Sequence, residues 1–425
     1  MEFSNAGCRG RSVWPEENEW SRNMSKKWKF AAVLMCTSLV FCGCSQGEQG
    51  TGTQPDSGDA AESEENENQA MLDVIQPSAY GNVQGLNLEP GTAFSIIGRA
   101  SSGDYWSTLR AGAEQAVEDI NSALGYTGDD RITLNYSAPE AEDDVDDQVN
   151  ILDEELDRYP AALGIAAVDA AACEVQFDLA AENSIPIVAF DSGTNYQNIV
   201  SMIETDNQEA ARTAAGKLCD NIGDTGEVVL FVHDSSSTSA TEREEGFLTE
   251  IQEKHPDVSV VRVYHLDDLE EIRQEMTGGT SGDAEGAADE TAETAAAAEG
   301  TSGDTGEEIT QEQAIEYIFQ QNPNIKGCMC TSAGVAETVT GVLENMGKEN
   351  LSVVSFDGGE DQLTRLTEEK LDGLVVQNPY GIGYATVVAC ARAVLGQGNE
   401  AEVNTGYTWV TRDNMEDEEI AKMMY

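Results

Sequence analysis

The sequence predicts an α/β protein with two lobes, each a doubly wound parallel sheet covered by helices on both faces. Continuous apolar runs such as IPIVAF (185–190) and EVVLFVH (227–233) are typical of strands that are buried on both faces. Segments with helical periodicity separate these runs, which is the order expected of parallel sheets. The pattern predicts about ten strands, which are too many for a single sheet of ordinary size. The alternation of strands and helices is interrupted near residue 200, which favours two sheets.

The alternation runs in two cycles, one on each side of this interruption. The first cycle predicts strands at 93–98, 131–137, 161–168, 185–190 and within 198–207, with helices at 105–124, 143–158 and 172–183. The second predicts helices at 207–221, 239–254, 310–321, 333–346, 359–369 and 381–395, with strands at 227–233, 258–265, 325–330, 351–356 and 373–377.

An export signal is predicted near the start, in MSKKWKFAAVLMCTSLVFCGC (24–44). Three lysines precede an apolar run at 30–42, which is shorter than the roughly 20 residues that span a bilayer. Residues 1–23 precede Met24, the start that this signal predicts. We therefore interpret residues 1–44 as a leader.

The leader ends in Phe41-Cys42-Gly43-Cys44, which resembles a bacterial lipobox. Cleavage before Cys44 would leave a cysteine for lipid attachment. We expect an extracytoplasmic lipoprotein, anchored to the outer face of the bacterial cell membrane. A plain secretory signal without lipid is the alternative.

Two segments have a composition that favours disorder. Residues 45–90 are rich in Gly, Ser, Glu, Asn and Gln, which predicts a solvated acidic tether. Residues 277–308 form a low-complexity insert with acids and no bases.

Composition excludes several functions. The 79 acidic and 23 basic residues give a formal charge of −56, which excludes nucleic acid as a partner. The acidic run EAEDDVDDQ lacks the spacing of an EF-hand, and YGIGYA is only half of a dinucleotide fingerprint, so we expect no metal and no cofactor. The five cysteines from Cys173 onward lie in apolar patterns and are expected to be buried thiols.

Polar side chains follow the strands at the edge where ligands bind in such sheets. These candidate ligand-binding residues are Tyr105, Trp106, Asp191, Ser192, Arg243, Ser332, Asp357 and Gln377. They lack a nucleophile–base pair, so we expect no enzyme.

The order and spacing of several segments resemble the type I periplasmic sugar-binding proteins of the ribose/galactose group, the substrate receptors of ABC importers. The resemblance covers about residues 92–425, with the insert as an interruption. The segments that carry it are YWSTLRAGAEQA, SIPIVAFDSGTN, IETDNQEAARTAAGKL, EREEGF, VVSFDGGEDQ and VVQNPYGIGYATV.

The resemblance implies a receptor that closes two lobes around a sugar and delivers it to importer permease subunits. It implies a hinge of about three crossovers near residues 205, 378 and 406. The N-terminal lobe would contain 91–205 with 378–406, and the C-terminal lobe 206–377 with 407–425. We expect a monomer.

The same resemblance implies individual roles. Tyr105 and Trp106 would clamp the sugar ring, while Asp191, Arg243, Asp357 and Gln377 would bind its hydroxyls. Ser192 stands where ribose receptors have arginine, and Ser332 where they usually have asparagine. Both changes shorten a donor, so a ligand other than ribose is expected: a pentose, a hexose, a polyol or a nucleoside-like molecule.

Five of these residues also have a structural interpretation. The two aromatic residues could belong to the core, Asp191 could form a turn, and Asp357 could cap helix 359–369. Arg243 could form a surface ion pair with Glu244 or Glu245. Three functional alternatives remain: a receptor that signals to a sensor kinase or chemoreceptor, a hydrolase on a similar scaffold, and a sugar-responsive repressor. The export signal and the absence of a basic helix-turn-helix segment from the sequence argue against the repressor.

Overall fold

The computed structural model describes residues 68–141, 144–277, 309–348 and 350–425, and within them it shows two six-stranded sheets. The strands are β1 (Ala93–Ile97), β2 (Thr133–Ser137), β3 (Ala162–Ile165), β4 (Ile187–Phe190), β5 (Ser201–Glu204), β6 (Gly226–Val232), β7 (Val258–His265), β8 (Ile325–Cys330), β9 (Ser352–Phe356), β10 (Gly373–Gln377), β11 (Glu402–Asn404) and β12 (Tyr407–Val410). The helices are α1 (Gln69–Asp73), α2 (Asp104–Leu124), α3 (Val145–Leu156), α4 (Glu174–Glu182), α5 (Asn207–Ile222), α6 (Thr238–Lys254), α7 (Leu269–Thr277), α8 (Gln311–Gln321), α9 (Ala333–Met346), α10 (Glu360–Thr367), α11 (Pro379–Val394) and α12 (Glu418–Ala421).

Both sheets are doubly wound, as predicted. The first has the order β11-β5-β4-β3-β1-β2 and is parallel throughout. The second has the order β12-β10-β9-β8-β6-β7, and only β12 runs antiparallel to its neighbour. Each order reverses once, beside β1 and beside β6, and such reversals open a crevice at the carboxyl ends of the strands.

Strand β6 shows why the apolar runs are continuous. Val228 and Leu230 pack into the core under α5 and α6, whereas Val229 and Phe231 pack into the core under α8 and α9. Successive side chains of a strand point to opposite faces, so a sheet covered on both faces needs an apolar residue at every position.

The chain passes between the two sheets at three adjacent places: from β5 to α5, from β10 to α11, and from β11 to β12. The amide of Thr405 donates to the carbonyl of Glu204 at 2.9 Å, and Asn378 Nδ2 donates to the carbonyl of Thr405 at 2.8 Å. Thr205 Oγ1 donates to Gln377 Oε1 at 3.0 Å. These bonds connect the three crossovers to one another.

Helix α11 returns the chain to the first sheet by packing closely on α2. A Cβ at Gly383 would lie 1.9 Å from the carbonyl oxygen of Leu109, and a Cβ at Gly112 would lie 2.0 Å from that of Tyr380. Only glycine permits backbones to approach this closely. The contact fixes the start of α2, which lies in the crevice.

The predicted tether at 45–90 is wrong for residues 68–90. This segment contains α1, and six of its side chains are buried in the core of the first lobe: Met71, Leu72, Ile75, Tyr80, Leu86 and Leu88. Residue Gln76 also pairs with Asn404 through two backbone hydrogen bonds. The segment is polar on average, so its composition predicted disorder. The free energy gained by burying its six apolar side chains is enough to order it on the first lobe.

Several predicted segments lie outside the residues that the structure describes, whereas the five predicted buried cysteines lie within them. The leader with Cys44, residues 45–67 of the tether and residues 278–308 of the insert lie outside the described residues. In the described ranges we find no helix with the length and apolar character that crossing a bilayer requires. Cys173, Cys219, Cys328, Cys330 and Cys390 are free and buried, as predicted.

Candidate ligand-binding cleft

A cavity of about 440 Å³ lies at the carboxyl ends of the strands, and both sheets contribute to its walls. The lobe of the first sheet contributes Tyr105, Trp106 and Asp191, and the lobe of the second sheet contributes Arg243, Asp357 and Gln377. Ser332 also lines it. The structure therefore brings seven of the eight sequence-predicted residues together around one space.

Two carboxylates occupy equivalent positions in the two lobes. Asp191 follows Phe190 at the end of β4, and Asp357 follows Phe356 at the end of β9. Both have a positive φ, 57° and 74°, which a side chain with a Cβ rarely adopts. Strained backbone of this kind clusters at ligand sites, where the surrounding structure holds the side chain in a required direction.

The carboxylate of Asp191 accepts a hydrogen bond from the hydroxyl of Tyr105. Burial raises the pKa of Asp191, while this hydrogen bond and the charges of Arg99 and Arg243 act to lower it. The pKa of Tyr105 is raised well above its usual value, by burial first and then by Asp191. The tyrosine therefore stays protonated and remains a donor.

A second network connects the residues of the other lobe. Gln377 Nε2 donates to Asp357 Oδ1 at 2.7 Å, and Gln377 Oε1 accepts from Arg243 Nη2 at 3.1 Å. The second oxygen of Asp357 accepts from the amide of Ala333 at 2.9 Å. Each of these side chains is thus held by others while it still lines the cavity.

The interpretation of Arg243 as a surface ion pair is wrong, because the residue is only 4% exposed. Its Nε donates to Asn207 Oδ1 at 2.9 Å, and its Nη1 donates to the carbonyl of Thr331 at 2.6 Å. The guanidinium also lies over the ring of Phe356, 4.2 Å from the centroid. Its plane and direction are therefore fixed.

Two of the predicted residues lie near helix N-termini. The interpretation of Asp357 as the cap of helix 359–369 is wrong, because the N-cap of α10 is Gly359. Ser332 is the N-cap of α9, where its Oγ accepts from the amide of Val335 at 3.4 Å. One lone pair of this hydroxyl therefore accepts a hydrogen bond from the first turn of α9.

Ser192 is the predicted residue that the structure does not bring to the cavity, since it is fully buried. Its Oγ accepts from Arg99 Nη1 at 2.7 Å, and Arg99 lines the cavity. The sequence reasoning missed Arg99, although it lies two residues beyond β1. The expectation that ligand-binding residues follow the carboxyl ends of the strands would have identified Arg99 if it had been applied to β1.

Arg99 also connects the two lobes. Its Nη2 lies 3.1 Å from Asp234 Oδ2, and Asp234 follows β6 of the second sheet. The two side chains are 6% and 12% exposed, so the pair is largely shielded from water. Nearby, the ring of Tyr425 packs edge-on against Tyr105 at 5.8 Å, and its hydroxyl accepts from the amide of Gly358.

A model of the periplasmic binding protein domain matches residues 94–307 and 280–398, which is more than half of the chain. The chain belongs to this family. The predicted type I fold is confirmed, and the family is one of binding proteins rather than of enzymes.

Individual relatives are consistent with the family. The D-apiose import binding protein of Actinobacillus succinogenes is 24% identical over 267 residues, which cover 63% of this chain and 70% of that protein. A carbohydrate transporter solute-binding protein from Agrobacterium radiobacter, solved in complex with D-arabinose, is 25% identical, with a TM-score of 0.62. That match covers 79% of this chain and 99% of the other.

A third relative shares the fold. A solute-binding protein from Agrobacterium vitis, solved with bound α-D-tagatopyranose, has a TM-score of 0.62 at 21% identity, and the match covers 79% of this chain and 99% of that one. This likeness supports the assignment of the fold.

Proposed function

We propose that this chain is an extracytoplasmic, lipid-anchored receptor that captures a sugar or sugar-like molecule between its lobes and delivers it to an ABC importer. The observation that carries the proposal is the cavity in which two carboxylates, a guanidinium and an amide converge from both sheets. Vicinal hydroxyls of a sugar suit such bidentate groups, and the apolar faces of the ring suit Trp106.

Binding would proceed by closure of the lobes about the three crossovers, near residues 205, 378 and 406. The ligand stabilises the closed state by its differential affinity for the two states. The lobes would contain 68–205 with 378–406 and 206–377 with 407–425, because residues 68–90 pack in the core of the first lobe. The monomer would present its closed form to the permease subunits. Cys44 would carry the lipid.

The arrangement favours binding without bond breaking. Among the described residues, the imidazole of His233 lies beside two hydroxyls: its Nδ1 is 2.7 Å from Thr331 Oγ1, and its Nε2 is 3.3 Å from Ser237 Oγ. Burial and the charge of Arg243 lower the pKa of His233 to about 3, so the imidazole is a weak base at neutral pH. Ser237 is 1% exposed and serves as the N-cap of α6.

A thermal-shift screen of sugars, polyols and nucleosides tests the proposal. A ligand at a hundred times its dissociation constant should stabilise the chain by about 2.7 kcal/mol. Asp191→Ala should abolish the response, whereas Asp129→Ala, at an exposed position away from the cavity, should leave it unchanged. If no member of the panel raises the unfolding midpoint, the chain is not a sugar receptor.

A further inference from the structure

The cavity continues beyond the residues that form the two hydrogen-bonding networks. Its lining also includes Leu266 after β7, Gln311 at the start of α8, and Gly334, Glu337 and Thr338 on α9. We refer to the space beside these five residues as the outer compartment. The networks around Asp191 and Asp357 lie beside the inner part.

The length of the outer compartment follows from helix α9. The amide of Ala333 donates to Asp357, which places the start of this helix at the inner part. Thr338 lines the cavity five residues further along α9, and a rise of 1.5 Å per residue puts it about 7.5 Å away along the axis. This distance is comparable to the length of one further sugar ring.

The wall of the outer compartment is open at Gly334. A Cβ built at this residue has no described atom within 4 Å, and the residue is exposed. At Gly358, by contrast, a Cβ would lie 2.6 Å from Val376. Gly334 therefore has space beside it that a ligand can use.

The chemistry of the outer compartment is hydrophilic. Gln311 Nε2 donates to the carbonyl of Leu266 at 3.2 Å, which leaves its carbonyl oxygen as an acceptor. Glu337 adds a carboxylate, and Thr338 Oγ1 lies 3.0 Å from the carbonyl of Gly334. Among the five described residues of this wall there is no aromatic ring, whereas a nucleobase would favour stacking on one.

We infer that the natural ligand is larger than one sugar ring: a disaccharide, or a glycoside whose second unit is hydroxylated. The inner part binds one ring through the two networks, and the outer compartment receives the second unit. This inference rests on the proposed function and names the class of sugar.

The test compares affinities of the full chain for monosaccharides and for disaccharides built from them, measured by titration calorimetry. The probes are D-glucose and D-galactose with maltose, cellobiose, lactose and melibiose, and adenosine serves as the nucleoside. At least one disaccharide should bind about tenfold or more tightly than either of its component sugars.

Variants locate the second unit. Gly334→Leu should weaken the best disaccharide at least about tenfold and change monosaccharide binding less than about threefold. Gly341→Leu is the matched control on the same helix: its Cβ is also in open space, but it does not line the cavity, so both affinities should stay unchanged. Thr338→Gln, at the far end, repeats the test if Gly334→Leu does not fold.

Each other result overturns the inference. Monosaccharides that bind at least as tightly as every disaccharide exclude an outer subsite while leaving the receptor function intact. Equal losses for both classes in Gly334→Leu show that the compartment is not separate. Tighter binding of adenosine assigns the space to a base. Failure of every disaccharide to bind excludes a disaccharide as the ligand, while the thermal-shift panel tests the receptor function separately.

Discussion

The guanidinium of Arg243 provides the sharpest test of the inner part of the cleft. It donates to Asn207, to the carbonyl of Thr331 and to Gln377, and it is 4% exposed. Arg243→Lys keeps the charge, but a single ammonium cannot reproduce the planar fork. If two of the three hydrogen bonds are lost at about 0.5–1.5 kcal/mol each, the free energy of unfolding falls by about 1–3 kcal/mol.

The same variant should affect the sugar more directly. A hydrogen bond to a charged group contributes about 1.5–3 kcal/mol, so the affinity for the best sugar should fall about 10- to 150-fold. Calorimetric titration measures this loss, and denaturant unfolding measures the stability. Arg110→Lys is the control, because that side chain is 55% exposed and its ion pair with Glu114 lies along its own helix.

Two results would refute the reasoning about Arg243. An unchanged sugar affinity in Arg243→Lys would mean that the guanidinium has a structural role alone. A loss of stability as small as in Arg110→Lys would mean that its three buried hydrogen bonds add little.

Three further predictions concern pH, closure and location. Tyr105→Phe removes a hydrogen bond that lowers the pKa of Asp191, so the carboxylate should take up a proton at a higher pH. Sugar binding, measured by calorimetric titration, should therefore be lost at a higher pH than in the unchanged protein as the pH falls. An unchanged pH of this loss contradicts the prediction. Asp234→Asn breaks the ion pair with Arg99 that connects the two lobes. If this pair stabilises the closed state by about 2 kcal/mol, the dissociation rate of the sugar in stopped-flow measurements should rise about thirtyfold. An unchanged rate excludes a role of the pair in closure. Cys44→Ser should move the chain from the membrane fraction to the soluble fraction of bacterial extracts, and retention in the membrane fraction would exclude lipid attachment at this cysteine.

The sequence predicted the secondary structure best where one physical requirement dominates. Strands β7 and β10 and helix α9 begin and end at the predicted residues, because buried parallel strands and an amphipathic helix leave strong apolar patterns. Strands β11 and β12 were missed. They have three and four residues, and they form through pairing with strands far away in the sequence, which local patterns do not reveal.

The site was predicted in outline for a different reason. Asp191, Asp357 and Gln377 follow strands directly, so the parallel topology determines the edge on which they lie. The burial of Ser192 behind Arg99 depends on side-chain packing between the two loops, which strand order does not determine. The contact of Tyr425 with Tyr105 joins residues from distant parts of the chain and has no local signal.

The most direct test of the central claim is a crystal structure of the chain grown with the strongest ligand from the thermal-shift panel. The account predicts ligand density inside the cavity between the two sheets, with hydroxyls in hydrogen-bonding distance of Asp191, Arg243 and Asp357. Density for the ligand only on an outer surface, with these three groups bonded to one another and no space between them, would contradict it.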